Sequence, residues 1–521
     1  MQTAVKKNIW ILFCSAGLFA ALFIATYPFF RYYVDPDAVN YLTIARRYAS
    51  HDYSRAINGL WSPFSSWLVA LCIGQGMDAL FAAQIINAIA CIAIIVCTFI
   101  FLSRYKVDHF ILAALMFVLP IALIDNLYEQ LFCDLWQVFF LLCYLMLVTS
   151  EGFLKSIWKW VLCGIIATLA YFAKAYSFYF IIIHLPFSVL LLVRKEGRPF
   201  VSVVKAVFTI LITMLVLIAP WLYLLHQKYE KWMLSSAGIL NHSWFLTGHK
   251  TFKAGITELI PPAYNDSPWN MEDPLLNSGH IYSVWEQPKF LFIQAGRSAY
   301  AFVQGLYVMN EISILLFSVL VVTSIYVFTS KEQTLFNVKH KIFLWASFIM
   351  PLGYLLMHFE SRYIWLLGYT GMVLGAVWLL KLKEYFSIRV YKLIVLIFAL
   401  SYLVYPVYDM KSLFNKGKDR YMEAEAIKET GIKGSFTSNG DPIWEGVTAY
   451  LTGMPYYTIE DTELGAKELL AEMKRYHVNY YIFHCRPSDA AYVIFKDESG
   501  KAFPEINSDK IQGIKIFLVN P

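Results

Sequence analysis

In the stretch YYVDPDAVNYLTIARRYASHDY, Asp35 and Asp37 stand two residues apart directly after a long apolar run. Other ionisable residues flank later apolar runs in the same way: Asp125, Glu129 and Asp134, then Lys174, then His358, Glu360 and Arg362. Together these residue types can move a proton and hold a charge. A carboxylate such as Asp37 can act as general base on an acceptor hydroxyl or amine. Lys174 and Arg362 can hold a phosphate and stabilise its charge as it leaves, Lys as a point charge and Arg as a bidentate fork. An ionisable residue at membrane depth is expensive to insert, so each of these positions requires a partner and a purpose.

The elements that must position them are membrane spans. Of 521 residues, 58% are hydrophobic, 17% aromatic and only 15% charged, a composition that excludes a string of soluble domains and points to a polytopic membrane protein. Apolar runs long enough to cross a hydrocarbon core of about 30 Å recur. They predict eleven helices at 8–30, 79–103, 108–125, 129–150, 157–174, 177–193, 200–224, 309–329, 342–358, 363–380 and 391–408. The first run follows Lys6 and Lys7, is too long for a signal-peptide core, and reads as an uncleaved span.

Charge orients the chain. With the N-terminus in the cytoplasm, the inside breaks carry 17 basic residues, among them Arg104, Lys106, Arg194, Lys195, Lys331, Lys381 and Lys383. Only five acids, Asp108, Glu151, Glu196, Glu332 and Glu384, share those breaks, which is the bias of cytoplasmic loops. Every candidate residue named above then faces the outer boundary. So do the outer loops 31–78 and 225–305, the tail, and an interfacial helix in SPFSSWLVALCIGQGM (62–77), which Gly74 and Gly76 interrupt.

The chain divides into a transmembrane unit, 1–410, and a tail, 411–521, of soluble composition. In the tail, KDRYMEAEAIKETG and DTELGAKELLAEMKRYH read as helices, and GSFTSN, VNYYIFHC, AAYVIF and IKIFLV as strands, which predicts a small α/β domain. It lacks a Gly-rich phosphate loop and a nucleophile elbow, so acceptor recognition or lid formation suits it better than the chemistry. Seven cysteines lie in or beside apolar runs and Cys485 stands alone, with no disulfide or zinc spacing. His242, His249 and His280 in the long outer loop also lack ligand spacing, and Trp232, Trp244, Trp269 and Trp285 read as interfacial anchors ahead of a sugar platform.

Plain structural readings stand beside the chemical ones. Asp35 can be a solvated acid before Pro36, Lys174 can snorkel, Arg362 can anchor a span end, and Glu129 or Asp134 can be half of an ion pair. The gathering of acids and bases on one side favours chemistry, and the mixture suits group transfer from a polyprenyl phosphate whose isoprenoid chain lies between spans. A transporter or lipid flippase is the competing class. It requires polar residues in mid-span and broken helices paired between two halves, whereas Pro120, Pro186 and Pro220 have no matching halves. A sensor or scaffold built on the tail leaves the charges at the spans without a role. Nothing points to nucleic acid.

The stretch DPDAVNYLTIARRY followed by NGLWSPFSSWLVAL resembles the first outer loop of the C-superfamily (GT-C) membrane glycosyltransferases, which include protein O-mannosyltransferases and the aminoarabinose transferases of lipid A. Asp37, Tyr41 and Ala45 match the D-x-x-x-Y-x-x-x-A pattern, and Ser62-Pro63 the motif that follows. DNLYEQLF is similar to the family's acidic corner with Glu129 at the matching acid, TLAYFAKAYSF to the end of its fifth span with Lys174 matching, and HFESRYIWLLGYTG to its Arg-Tyr pair with Arg362 and Tyr363 matching. The resemblance implies inverting transfer from an undecaprenyl- or dolichyl-phosphate-linked sugar to a protein, lipid A or glycan acceptor, at a site open to the periplasm or lumen of a multi-pass protein, here one of a bacterial inner membrane. It makes Asp37 the catalytic base with Asp35 and Glu129 as acidic support. Lys174, Arg362 and Tyr363 become donor-phosphate contacts, supported by Tyr41, Asp134, His358 and Glu360. Relatives often have Asp-Glu where this chain has Asp37-Ala38. Two readings of Asp35 therefore stand side by side: second acid, or ligand with Asp37 of a divalent cation.

Overall fold

The computed structural model describes residues 2–105, 107–129, 131, 133–248, 258–330, 335–459, 466–485, 501–506 and 513–520, with residues 2–7 and 466 as backbone only. The membrane part opens with α1 (Gln2–Phe30), the short outer helices α2 (Pro36–Ala49), α3 (Tyr53–Ala56) and α4 (Pro63–Ile73), and the long hairpin α5 (Ala79–Arg104) and α6 (His109–Glu129). It continues through α7 (Asp134–Val148), α8 (Ile157–Ala173), α9 (Tyr176–Lys195) and α10 (Val201–Tyr229). A loop region follows that contains α11 (Ala237–Thr247), and then α12 (Pro288–Ile312), α13 (Leu316–Thr329), α14 (Val338–Leu352), α15 (Trp365–Leu382) and α16 (Ile388–Leu400).

Each expected span falls on helix, with three differences, one being that the run 391–408 is broken at residues 401–403 between α16 and a helix that starts at Val404. Among the described residues, seven helices are long and apolar enough to cross a membrane, or eight with α12 and α13 taken as one broken span. α7, α8 and α14 are shorter. The run expected to begin at 309 is already helical from Pro288, whose ring presets the first turn, so the expected loop 225–305 is helix from residue 288 on. α12 and α13 then meet at 109°. The bend falls where Ser313 is extended and its hydroxyl lies 2.7 Å from that of Ser401, which makes a buried polar pair of the break. The interfacial segment expected at 62–77 folds as α4, which Ser66 ties to α2 through the Tyr41 carbonyl at 2.9 Å.

α15 is the central helix. In its best membrane-length window 83% of residues are buried, against 17% for α1, which faces outward. Close packing requires its glycines: a Cβ on Gly375 would lie 2.2 Å from the Phe398 ring of α16. The basic breaks gather at one end of the bundle, where Lys383 pairs with Asp108 at 2.6 Å and Arg198 donates to the Leu154 carbonyl at 3.3 Å. The segments around Asp37, Asp134, Lys174 and Arg362 lie at the other ends of the same helices.

The chain leaves the membrane part through α17 (Val404–Leu413) and α18 (Lys418–Glu429). The Asn415 amide donates to Phe29 at 3.0 Å, and Gly417, at φ +81°, packs so tightly on α1's exit that a Cβ would lie 2.6 Å from the Tyr32 carbonyl. Among the described residues the tail forms a four-stranded sheet of order β1-β2-β4-β3, from β1 (Phe436–Ser438), β2 (Tyr480–His484), β3 (Glu505–Ile506) and β4 (Ile514–Leu518), with α19 (Pro442–Thr452) and α20 (Ala466–Arg475). β1 and β2 are parallel and the other pairs antiparallel. The strand expected at AAYVIF and the start of the helix expected from 461 lie outside the described residues. α19 is an addition to the sequence reading. It docks on α2, with the Arg46 guanidinium 4.3 Å from the Tyr450 ring centre.

Candidate active site

Local rules place Asp37. Asp35 is the N-cap of α2, with extended backbone, and its Oδ1 accepts from the Asp37 amide at 2.8 Å; Pro36 takes the first helical position. Asp37 thus stands in the first turn, where the helix dipole favours a negative charge. Residues four apart share a helical face, so Asp37, Tyr41 and Ala45 form one stripe. The Tyr41 ring meets Trp61 edge to face at 5.3 Å, its hydroxyl reaches Cys133 Sγ at 3.3 Å, and Ala45 is wholly buried.

Between α14 and α15 the backbone abandons the helix, and Glu360 is extended. Alternate residues of an extended segment point the same way, which brings His358 to Glu360, and a 3-10 turn over Ser361–Ile364 then carries Arg362 back to Glu360. His358 Nε2 lies 2.9 Å from Glu360 Oε1, Glu360 Oε2 lies 2.5 Å from Arg362 Nε, and Arg362 Nη2 donates to Asp37 Oδ2 at 3.1 Å. Burial works to raise Glu360, yet Arg362 and His358 outweigh it and hold that carboxyl well below the usual carboxylate range.

A second ion pair lies alongside. α8 stops at Ala173, and Lys174 is extended, so its side chain leaves the helical path and meets Asp134, the first residue of α7, at 2.5 Å. The Tyr363 ring is shared: Lys174 Nζ lies 4.1 Å from its centre, Tyr354 stacks on it at 4.4 Å, and its hydroxyl donates to Glu360 at 3.2 Å.

These groups open into one cavity of about 1180 Å³, lined by Asp37, Tyr41, Lys174, His358, Glu360, Arg362 and Tyr363. Of the Asp37 side chain, 39% remains accessible, and the carboxylate faces that cavity. Its walls are apolar. Tyr179, Phe180 and Ile183 of α9 and Ile349 and Leu352 of α14 line it, and Tyr179, Ile183 and Leu352 are among the exposed large side chains of the bundle. Trp244 and Trp269 also line it, whereas Trp232 and Trp285 are exposed on the surface. Trp269 Nε1 donates to Asn40 at 2.9 Å. That bond and the buried Arg47–Glu272 ion pair fix the outer loop onto α2.

Not every predicted site residue joins this cavity. Asp35 and Asp134 lie just behind it, each bound to a lining residue. Glu129 does not enter it: it lines a separate small cavity with Asp125 and Glu311. Asp35 and Asp37 belong to no group of three metal-ligand side chains among the described residues. His242 meets Gln294 at 2.9 Å and His280 meets Glu286 at 2.8 Å, both within the loop and α12, while His249 lies outside the described residues.

Sequence reasoning missed the tail's share of the site. Asp441, Pro442 and Ile443, the start of α19, line the cavity mouth. A signal was present, because Asp441-Pro442 repeats the Asp35-Pro36 cap, with Asp441 accepting from the Ile443 amide at 3.0 Å.

The chain matches no protein-family model and no curated protein sequence. Its fold does match solved structures. ArnT from Cupriavidus metallidurans bound to undecaprenyl phosphate aligns with a TM-score of 0.53 at 12% identity, over 99% of this chain and 97% of that one. The archaeal oligosaccharyltransferase AglB from Archaeoglobus fulgidus, in complex with an inhibitory peptide and a dolichol-phosphate, aligns at 0.52 and 10% identity, over 92% of this chain and 70% of that one. This chain is similar to both in fold: a polytopic helical membrane protein with a small C-terminal sheet region.

Proposed function

We propose that this protein is a membrane glycosyltransferase that moves a sugar from a polyprenyl-phosphate-linked donor to an acceptor outside the cytoplasm. The observation that carries the reading is the construction of the cavity: two cations and a carboxylate at its polar end, and apolar walls whose side chains reach the lipid-facing surface of α9 and α14. A lipid phosphate needs that pairing of charge and apolar surface. The fold shared with proteins solved with undecaprenyl phosphate and dolichol-phosphate supports the same donor class.

In this reading Asp37 removes the proton from the acceptor hydroxyl or amine, the freed lone pair attacks the anomeric carbon, and the bond from that carbon to the phosphate oxygen breaks. The phosphate departs with its electron pair toward Arg362 and Lys174. Attack opposite the leaving group inverts the anomeric centre. Arg362 donates to Asp37 at 3.1 Å, so an arriving phosphate competes for the guanidinium and leaves Asp37 a stronger base. Glu360 holds Arg362 from the other side. Asp35 acts as the second acid, since its oxygens already cap α2 and receive the Asp37 amide. The basic breaks gathered at the opposite end of the bundle support a cytoplasmic N-terminus and an extracytoplasmic tail, and the fold shared with a bacterial ArnT supports residence in a bacterial inner membrane.

The test is transfer from a radiolabelled lipid-linked sugar in proteoliposomes. Near-normal turnover by Asp37→Asn would end the catalytic assignment. Labelling of cysteines placed at residues 35 and 440 only from the cytoplasmic side would end the orientation.

A further inference from the structure

Outside that cavity, Asp125, Glu129 and Asp409 each bring a carboxylate oxygen within 4.8 Å of the others. Asp125 and Glu129 are four residues apart in the last turns of α6 and share a face; Asp409 comes from α17, which packs along α6. Asp125 and Glu129, with Asn126, Glu311 and Tyr405, line a cavity of about 50 Å³, room for an ion and a water at about 10–15 Å³ of such space per water.

Acidic clusters need no ion as such, but a buried carboxyl like Asp125 needs a compensating cation or proton. Asp125 is 2% exposed, and its Oδ1 is buried without a hydrogen-bond donor. Among the described residues no lysine or arginine pairs with it, and the ammonium of Lys416, which follows α17, is 4.1 Å from the centre of the Tyr33 ring instead. A carboxylate left so is strongly unfavourable unless a cation or a proton compensates it. The partners at hand are more carboxylates, which a shared cation can neutralise together.

We propose that Asp125, Glu129 and Asp409 hold a divalent cation of the hard, oxygen-seeking class, calcium foremost, with Glu311 and water completing its shell. The donors are all oxygen, with no thiolate or imidazole to draw zinc or copper. Oxygens on opposite sides of a calcium ion are about 4.8 Å apart, so a trio within that limit fits its flexible shell without rearrangement. Binding displaces whatever protons the carboxyls share. The ion fastens α17, the lead-in to the tail, onto α6, and thereby holds the tail over the mouth of the large cavity.

The test uses the full chain in detergent, stripped with EDTA and titrated with calcium or manganese chloride alone. Calcium is expected to raise the unfolding midpoint with the logarithm of its free concentration above Kd, by about 1–3 °C at a large excess, and manganese to show bound-ion EPR signal. Asp409→Asn and Glu129→Gln, at half-buried positions that tolerate change, should weaken the apparent affinity at least about tenfold, as loss of a charged ligand does. Asp37→Asn should leave it unchanged. No cation response in the native chain overturns the proposal, and so does a response that survives in Asp409→Asn but vanishes in Asp37→Asn, which would put the ion on Asp35 and Asp37. A metal-free Asp409→Asn as stable as the calcium-loaded native chain, with no signal from bound manganese when the stripped native chain is titrated with manganese alone, overturns it in favour of shared protons.

Discussion

Arg362 stands between two carboxylates: Nη2 donates to Asp37 Oδ2 at 3.1 Å while Nε lies 2.5 Å from Glu360 Oε2. Asp37 and Arg362 are 325 residues apart in the chain. One guanidinium thus balances the proposed base and anchors itself on a third group, so it can turn toward a phosphate without leaving its site.

Asp37→Asn should keep this hydrogen-bonded geometry and remove the proton acceptor. The expected loss in kcat is about 10²–10⁴-fold, the range of a general base, with the KM for the lipid donor changed little. Steady-state kinetics in proteoliposomes separates the two. A raised KM at unchanged kcat would make Asp37 a binding residue instead.

Arg362→Lys should fail as a replacement despite the retained charge, because an ammonium cannot reach both Asp37 and Glu360 in a fixed fork. Donor affinity and kcat should both fall, kcat by about 10²-fold or more if the guanidinium stabilises the leaving phosphate. Equal activity of the lysine variant would show that charge alone is required.

Asp35 gives a pH signature. Burial and the neighbouring charge of Asp37 push its carboxyl up to about 7 from an ordinary 3.8, against the opposing pull of Arg362 and the Asp37 amide. The folded protein therefore holds an extra proton between those values, and this contribution to stability is present below about 4 and lost as pH rises through about 7. The unfolding midpoint should fall between pH 5 and pH 8 in the native chain and fall less in Asp35→Asn, whose amide oxygen keeps the cap. The gain at pH 8 should be on the order of 1–2 kcal/mol. An identical pH slope in both proteins would refute it.

Lys174→Met strands Asp134, which is 1% exposed, without its cation, and should cost about 3–5 kcal/mol. Adding Asp134→Leu should recover most of the stability, since a buried pair replaced by apolar residues is often neutral. Activity should stay lost if Lys174 serves the phosphate. Unfolding and transfer assays on the two variants therefore move apart, and recovery of both together would leave the pair a purely structural role.

Gly417→Ala tests the seating of the tail. Its φ of +81° and the 2.6 Å approach to the Tyr32 carbonyl should cost about 1–3 kcal/mol and loosen the tail over the cavity mouth. Faster proteolysis of the tail, with the membrane helices intact, is the expected readout.

The agreement between residues and fold is uneven for physical reasons. Span length and hydropathy are local, so the runs at 8–30 and 79–103 became α1 and α5 nearly as read. The bend at Ser313 was not legible, because it depends on a hydroxyl from Ser401, 88 residues away. In the sequence Glu129 reads as acidic support for Asp37 and Asp134 as a supporting residue, and either can be half of an ion pair. They end and begin adjoining helices, and the rotation of each helix about its axis turned one toward Lys174 and the other toward Asp125 and Asp409.

The amino-acid sequence by itself determined what neighbouring residues can settle among themselves: the spans, the Asp-Pro cap that starts α2, the stripe carrying Asp37, Tyr41 and Ala45, and the segregation of basic residues to one set of breaks. Helical period, capping and the solvation of charge are short-range, and a local stretch contains all that they need. Only the tertiary structure decided which charges meet. It joined Asp37 to Arg362 and Lys174 to Asp134, brought Asp441 to the cavity mouth, and set Glu129 apart with Asp125 and Asp409. Those pairings follow from how helices far apart in the chain pack around α15, and no local pattern specifies the packing.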